Sequence, residues 1–397
     1  MKKQKSGLAD LAQAFLKLGA MSYGGPAIMG IMQAELQEKR AWVSKEKFLE
    51  GLALVSLLPG PGATQLGIFL GYERAGWRGG VLAGICFILP AFFIMLALTL
   101  LYSAYGALPA LRGAFYGLGP VVLGIFAVAL YRLGRNALKS PAQVLLALLA
   151  GAAAAWSPLG IVTLLLLAGC AGIALYHSKL QGFAAAAAVV LLLAILRAAL
   201  GPEQATAGVA AASAGHGLWN VGLFFFKVGA LTFGGGLSML AFIQDQVVNQ
   251  LHWLTPREYL DGLALGQLTP GPILMLAAYI GYKVDGLAGA AVGGMAIFLP
   301  SFLLMLSIMP MLLRVRKLLW IKAAMRGLSA AVIGTVGCSL LQMAPDAVPD
   351  GFAAFLLVLT VAAILAWRAG PLRLMLGGAY VGATSRLNPL ERLQELG

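Results

Sequence analysis

FLKLGAMSYGGP (Phe15 to Pro26) and SLLPGPGATQLG (Ser56 to Gly67) are answered later in the chain by FFKVGALTFGGG (Phe225 to Gly236) and QLTPGPILMLAA (Gln267 to Ala278). Lys17 falls on Lys227, Gly19 on Gly229, Ser22 on Thr232 and Gly24-Gly25 on Gly234-Gly235, all 210 positions apart. After a one-residue insertion, Glu50-Gly-Leu-Ala-Leu falls on Asp261-Gly-Leu-Ala-Leu and Pro59-Gly60-Pro61 on Pro270-Gly271-Pro272. The register returns to 210 at Pro90 and Pro300 and holds through Gly117-Leu118 and Gly327-Leu328. The chain is a duplicated unit.

Composition names the solvent in which that unit folds. Apolar residues make up 60% of the 397 positions and charged residues 11%, whereas soluble domains carry about a quarter charged. Apolar runs such as Gly80 to Leu101, Gly182 to Leu200 and Leu287 to Met309 reach about 20 residues, enough for a helix to cross about 30 Å of hydrocarbon. Runs this long exclude a barrel, whose strands alternate over about ten residues. The net charge of +13 comes without basic clusters interleaved with aromatics, so nucleic acid is excluded as a partner; the bases lie mostly between apolar segments. No cleavable signal is visible. Cys86, Cys170 and Cys338 lack metal-type spacing and read as packing residues, and His177, His216 and His252 mark segment ends. No cofactor or metal is expected.

The fold expected is an all-α polytopic membrane protein of about 13 hydrophobic segments, built as two homologous helical repeats of inverted topology with broken or re-entrant helices. The boundaries expected are residues 1–181 for the first repeat, 182–217 for an unpaired span and linker, and 218–397 for the second. An odd linking span turns the second copy over, and loop charges agree in part. Arg132, Arg135 and Lys139 follow the fourth segment of the first copy, and the matching loop Ala344 to Asp350 has no base. Arg314, Arg316, Lys317 and Lys322 stand where the first copy has Arg112. Opposite bias at equivalent loops is what inversion with the positive-inside rule produces. The base-rich passage from Lys39 to Lys47, read as interfacial and anchored by Trp42, breaks the pattern.

Interrupted helices at matching positions of inverted repeats point to a transporter's binding site. Each Pro of Pro-Gly-Pro lacks an N–H and clashes with the preceding turn, while Gly adds freedom; the freed backbone groups need protein partners or a wet cavity. A helix restarting after Pro61 or Pro272 directs free N–H groups, with about half a positive charge, at that cavity, which favours anions. Gly24-Gly25 and Gly234-Gly235-Gly236 allow close approach, and Ser22, Thr232, Thr64, Gln267 and Thr269 supply donors. Lys17 and Lys227 add full charge inside apolar segments, where each Lys costs about 2.5–3.5 kcal/mol; the bland alternative is snorkelling from helix ends. Glu35, Asp245, Glu50 and Asp261 fit either proton coupling or salt-bridged gates, or else helix capping or local pairing with bases such as Arg40 or Arg257. Pro-Gly-Pro alone could be a simple kink.

The paired F-x-K-x-G-A-x-x-[YF]-G-G and x-L-x-P-G-P motifs, followed by a Gly-rich turn and F-x-L-P, resemble the chromate ion transporter family, in its long-chain two-domain form. The resemblance is strongest over Phe15 to Phe93 and Phe225 to Phe302. It implies inner-membrane transport of chromate in a bacterium or archaeon, usually export giving resistance, with sulfate as the look-alike anion. The family motifs carry over to Lys17, Gly24, Gly25, Pro26, Pro59, Gly60 and Pro61, and to Lys227, Gly234, Gly235, Gly236, Gln267, Pro270, Gly271 and Pro272. The chain departs from the family at Ala27-Ile28-Met29, where Ala-His and a base often stand, and at Val55-Ser56, often Cys-Gln. Expected partners are chromate, sulfate as the alternative anion, the lipid bilayer and a second copy of the chain. Rival readings are sulfate uptake or exchange, a passive channel, and an intramembrane lipid-phosphate enzyme; the last needs a carboxylate or His cluster that the sequence does not present. No nucleotide-binding G-x-x-x-x-G-K-[ST] is present.

Overall fold

A computed structural model describes residues 7–22, 25–55, 58–157, 160–200, 217–232, 237–309 and 319–386. Gly24, Gly234, Gly235 and Gly236, and most of the expected linker, lie outside the described residues.

The first copy runs α1 (Leu8–Met21), α2 (Gly25–Met32, extended by one wide turn Gln33–Lys39), α3 (Lys45–Val55), α4 (Gly62–Tyr105), α5 (Pro109–Ala137), α6 (Pro141–Trp156) and α7 (Ile161–Tyr176). The unpaired α8 (Lys179–Leu200) follows. The second copy runs α9 (Leu218–Ala230), α10 (Leu237–Gln244, with a wide turn Asp245–Gln250), α11 (Pro256–Leu268), α12 (Leu276–Ala296), α13 (Leu299–Ile308), α14 (Leu319–Ala347), α15 (Gly351–Trp367) and α16 (Pro371–Arg386). Four of the described helical stretches are long and apolar enough to cross a membrane: Gly62–Tyr105, Pro109–Ala137, Ile273–Ser307 and Leu319–Ala347.

Several apolar segments of the sequence fold back on themselves, so hydropathy segments and membrane-crossing helices differ in number. Leu8 to Met32, one apolar run in the sequence, is two helices. Phe15 and Met32 both lie within 4 Å of one point, the place a methyl on Gly67 would occupy. A straight helix would separate them by about 25 Å at 1.5 Å per residue. In the second copy Phe224, the neighbour of Phe225 (equivalent to Phe15), stacks on Phe242 (equivalent to Met32) at 6.2 Å between ring centroids. The Pro-Gly-Pro segments are hairpins too. Lys47, near the start of α3, holds Glu73 across the hairpin at 3.6 Å, while Gly51 packs on Leu66 and Phe69 and Val55 lies near Gly62. In the second copy Tyr279 Oη donates to the Glu258 carbonyl at 3.0 Å and Lys283 pairs with Glu258 at 2.7 Å.

α4 then turns sharply. Ala75 and Gly76 leave helical geometry, and the chain reverses so that residues 62–74 and 77–105 lie side by side. Asp285 and Gly286 repeat the turn 210 positions later. Each copy therefore sends two hairpins inward before its first full-length helix.

The distal helices exchange between copies. α5 of the first copy packs on α15 and α16 of the second, and α14 of the second packs on α6 and α7 of the first. Small residues permit the approach, since Gly117 meets the Gly378 carbonyl and Gly327 meets the Ala168 carbonyl. With no hydrophobic drive between helices in lipid, such backbone-close contacts supply the van der Waals attraction. Met305 of the second copy joins the core of the first copy's hairpins, and Met95, its equivalent, joins the core of the second.

Candidate functional site

Hairpin geometry decides where the motifs meet. α3 has 11 residues and α11 has 13, so each arm reaches about 16–20 Å inward, about half of a 30 Å hydrocarbon core. At the tips the backbone leaves helical geometry with Gly60 at φ 126° and Gly271 at φ 95°. These values are strained for any side-chain-bearing residue, which is why glycine stands between the prolines.

The four tips are joined across the repeats. Gly60 donates its N–H to the Thr232 carbonyl, and Gly271 donates to the Ser22 carbonyl, each at 2.6 Å. A methyl on Gly60 would stand 2.6 Å from Ser301 Oγ, and one on Gly271 would stand 2.9 Å from Ala91 Cβ; Ser301 and Ala91 are equivalent positions. The reciprocal pattern, each tip bonded to the other copy, is that of a two-fold relation.

Around this junction lie buried polar atoms that find no partner among the described residues: Ser22 Oγ, Thr64 Oγ1, Gln65 Oε1 and Ser301 Oγ. All four residues are fully buried. Hydroxyls in such surroundings cost free energy unless something binds them. Gln65 spends its amide nitrogen on the Pro59 carbonyl at 2.5 Å, closing the turn. Thr232 and Thr269, by contrast, return their hydroxyls to their own helices at Val228 and Leu265.

The structure brings together Ser22, Pro59, Gly60, Pro61, Thr232, Pro270, Gly271 and Pro272, with Gln267 and Thr269 buried on the arm leading to the second tip. Gly25 opens α2 just beyond the first copy's break. Lys17 and Lys227 each sit five residues before the Ser22 or Thr232 tip; Lys17 is exposed and Lys227 half-buried. One expectation is corrected. A helix restarts directly after Pro61, but after Pro272 the chain makes a tight 3-10 turn, Ile273–Met275, before α12 begins.

The acidic positions divide by their partners. Glu35 pairs with Arg40 at 2.9 Å and Lys39 at 3.3 Å, and the Arg40 guanidinium holds the Glu35 carboxyl below its usual value. Glu50 pairs with Lys47 at 3.1 Å. Asp245 accepts from Gln250 at 2.9 Å. Asp261 pairs with Arg257 at 3.4 Å and also accepts a bond from Tyr102 of the first copy at 2.7 Å. A cavity of about 690 Å³ opens there, lined by Tyr102, Arg112, Tyr116, Arg257, Asp261 and Asp346. Glu35 is partly buried but its partner Lys39 is 69% exposed, and a pair open to water on one side contributes about 0–1 kcal/mol. Glu35→Gln is therefore expected to leave stability within about 1 kcal/mol of wild type, checked by thermal unfolding; a larger loss would show that Glu35 does more than pair locally.

Sequence reasoning missed Gln65, Ser301 and Tyr102. A signal for the first two existed: the copies differ there, with Thr64-Gln65 against Met275-Leu276 and Ser301 against Ala91. Tyr102 gave none, because its partner lies 159 positions away.

A family model described as Chromate transporter matches residues 9–173 and 219–383. A chromate transport protein of Cupriavidus metallidurans is 33% identical over 370 residues, covering 91% of this chain and 88% of that protein. A probable chromate transport protein of Synechococcus elongatus is 32% identical over 378 residues, 91% of each chain. A chromate transport protein of Pseudomonas aeruginosa is 32% identical over 340 residues, 84% of this chain and 80% of that one. No solved structure matches.

Proposed function

We propose, from the premise that the chain belongs to the chromate transporter family, that it carries chromate across a bacterial or archaeal inner membrane as a secondary transporter working by alternating access. Export is the net direction, and chromate resistance the result. The transporting units are residues 1–181 and 218–397 in opposite orientation, turned over by the span within 182–217.

The observation that carries this reading is the order of contacts along residues 77–105 of α4. Near its start, Gly84 meets Phe302 of α13 on one side and Ile68 of the first copy's own hairpin on another, and Phe87 meets Gly19 of that copy. At Ala91, fourteen residues from either end of 77–105, the partner becomes Gly271 of the second copy. Met95 then meets Thr269 at 3.5 Å and Tyr102 meets Asp261 at 2.7 Å. One helix thus has the first copy's hairpin beside its first half and the second copy's hairpin beside its other half. Two hairpins entering from opposite faces and touching tip to tip near the middle account for that order, and hairpins entering from one face do not.

At such a junction a tetrahedral oxyanion meets helix starts, hydroxyl donors and the two Lys side chains, all positive in sign. Two charges moving out of a compartment held 100 mV negative gain about 4.6 kcal/mol, so export runs without a nucleotide. Asp261 and Tyr102 form a latch between copies on one side of the junction. Bonds to charged groups contribute about 1.5–3 kcal/mol. Tyr102→Phe is therefore expected to raise the labelling rate of a cysteine at Thr269 by an impermeant maleimide at least about tenfold; an unchanged rate would remove the latch.

The reading is tested by labelled chromate flux in vesicles of defined orientation under an imposed potential, with and without excess sulfate. Potential-driven chromate movement supports it. Sulfate movement without chromate movement would reassign the substrate, and flux of neither would refute the function.

A further inference from the structure

The two tips are equivalent in fold and unlike in chemistry. At the first tip, the N-cap of α4 is Pro61, which has neither an N–H nor a capping side chain. Gln65 N–H bonds the Pro61 carbonyl, so the N–H groups of Gly62, Ala63 and Thr64 have no partner within the helix. Facing this helix start are two hydroxyls, Thr64 Oγ1 in its first turn and Ser301 Oγ against Gly60; both are buried completely and unpartnered. The helix runs from residue 62 to the turn at 75, long enough to carry a terminal dipole.

At the second tip the start is tighter and less polar. Met275 donates to Pro272 and Leu276 to Ile273, so the turn takes up the Met275 N–H, whose equivalent at Thr64 is left open at the first tip. Thr64 and Gln65 are replaced by Met275 and Leu276, and Ser301 by Ala91. Ser22 Oγ is the unpartnered hydroxyl that remains there. The Lys residues follow the same division. Half-buried Lys227 leads to Thr232, which holds the first tip; exposed Lys17 leads to Ser22, which holds the second.

Building on the transport reading above, we propose that the chain binds one oxyanion, at the first tip only. The N–H groups of Gly62, Ala63 and Thr64 and the hydroxyls of Thr64 and Ser301 hold it. Gln65 keeps the turn in shape through its bond to Pro59. The second tip serves as a structural counterpart against which the first moves.

The test is equilibrium binding of labelled chromate, and separately of sulfate, to purified full-length protein, alongside flux in vesicles. One anion per chain is expected. Thr64→Val with Ser301→Ala should weaken binding at least about tenfold, the scale of lost hydrogen bonds to a charged group. Thr64→Ser, which keeps the hydroxyl, should recover most of the binding that Thr64→Val loses, and Met275→Leu at the second tip should bind as wild type. Monodispersity and melting temperature show whether the double variant folds; if it does not, Thr64→Val alone is read. Two anions per chain, or undiminished binding by folded Thr64→Val, would overturn the single-site assignment while leaving transport intact. Wild-type protein that binds one anion through Thr64 yet moves none would keep the site and refute the transport reading.

Discussion

Gly60→Ala is expected to reduce chromate flux by about a hundredfold or more. At φ 126° any Cβ is strained, costing about 1–3 kcal/mol. The added methyl would also stand 2.6 Å from Ser301 Oγ and press on the Gln65 amide, and overpacking of this kind costs about 1–3 kcal/mol more. The tip relieves both by moving, and moving breaks the 2.6 Å bond from Gly60 N–H to Thr232. The geometry of the α4 start is lost with it. The effect is read as flux per molecule of protein recovered in the membrane, which separates a damaged site from a missing protein. Gly271→Ala carries a similar strain at φ 95° and meets Ala91 Cβ. Its expected signature is a lower melting temperature with chromate affinity retained. Wild-type flux from Gly60→Ala would show that the tip is no part of the path.

Lys227→Ala combined with Lys17→Ala is expected to lower flux by about two orders of magnitude. Truncating one member of a buried charged pair costs about 2–5 kcal/mol, and here the other member is the passing dianion. The single variants should be unequal. Lys227 is half-buried five residues before Thr232, while Lys17 is exposed, so Lys227→Ala should account for most of the loss. Equal single effects would argue for two binding tips, and an intact double variant would return both lysines to snorkelling. Flux and binding measured on the same preparations distinguish these outcomes.

Much of this site was legible in the sequence because duplication repeats its signals. Pro-Gly-Pro at Pro59 and Pro270 marks breaks that no continuous helix tolerates, and the structure makes both into tips. The local pairing offered as an alternative for Glu35 and Asp261 named Arg40 and Arg257, and those contacts are present. What could not be read was direction. Leu8 to Met32 is long and apolar enough to suggest one crossing, yet it folds back on itself, α1 ending at Met21 and α2 opening at Gly25. The reversal at Ala75-Gly76, by contrast, falls at the Gly-rich turn expected between Pro61 and the apolar run from Gly80. Contacts between copies, such as Tyr102 with Asp261, depend on how two hairpins meet, and composition carries no trace of that. Ser301 was missed because its one mark in the sequence, a serine where the other copy has Ala91, gains a meaning only once its neighbour Gly60 is known.

The central claim is that equivalent hairpins enter from opposite faces. Ala75 and Asp285, equivalent and exposed at the outer turns of the two copies, report it directly. Single cysteines at these positions, in protein lacking Cys86, Cys170 and Cys338, are to be labelled with an impermeant maleimide applied to one side of sealed vesicles. Labelling of one from outside and of the other only from inside is the result expected; labelling of both from the same side would contradict the account.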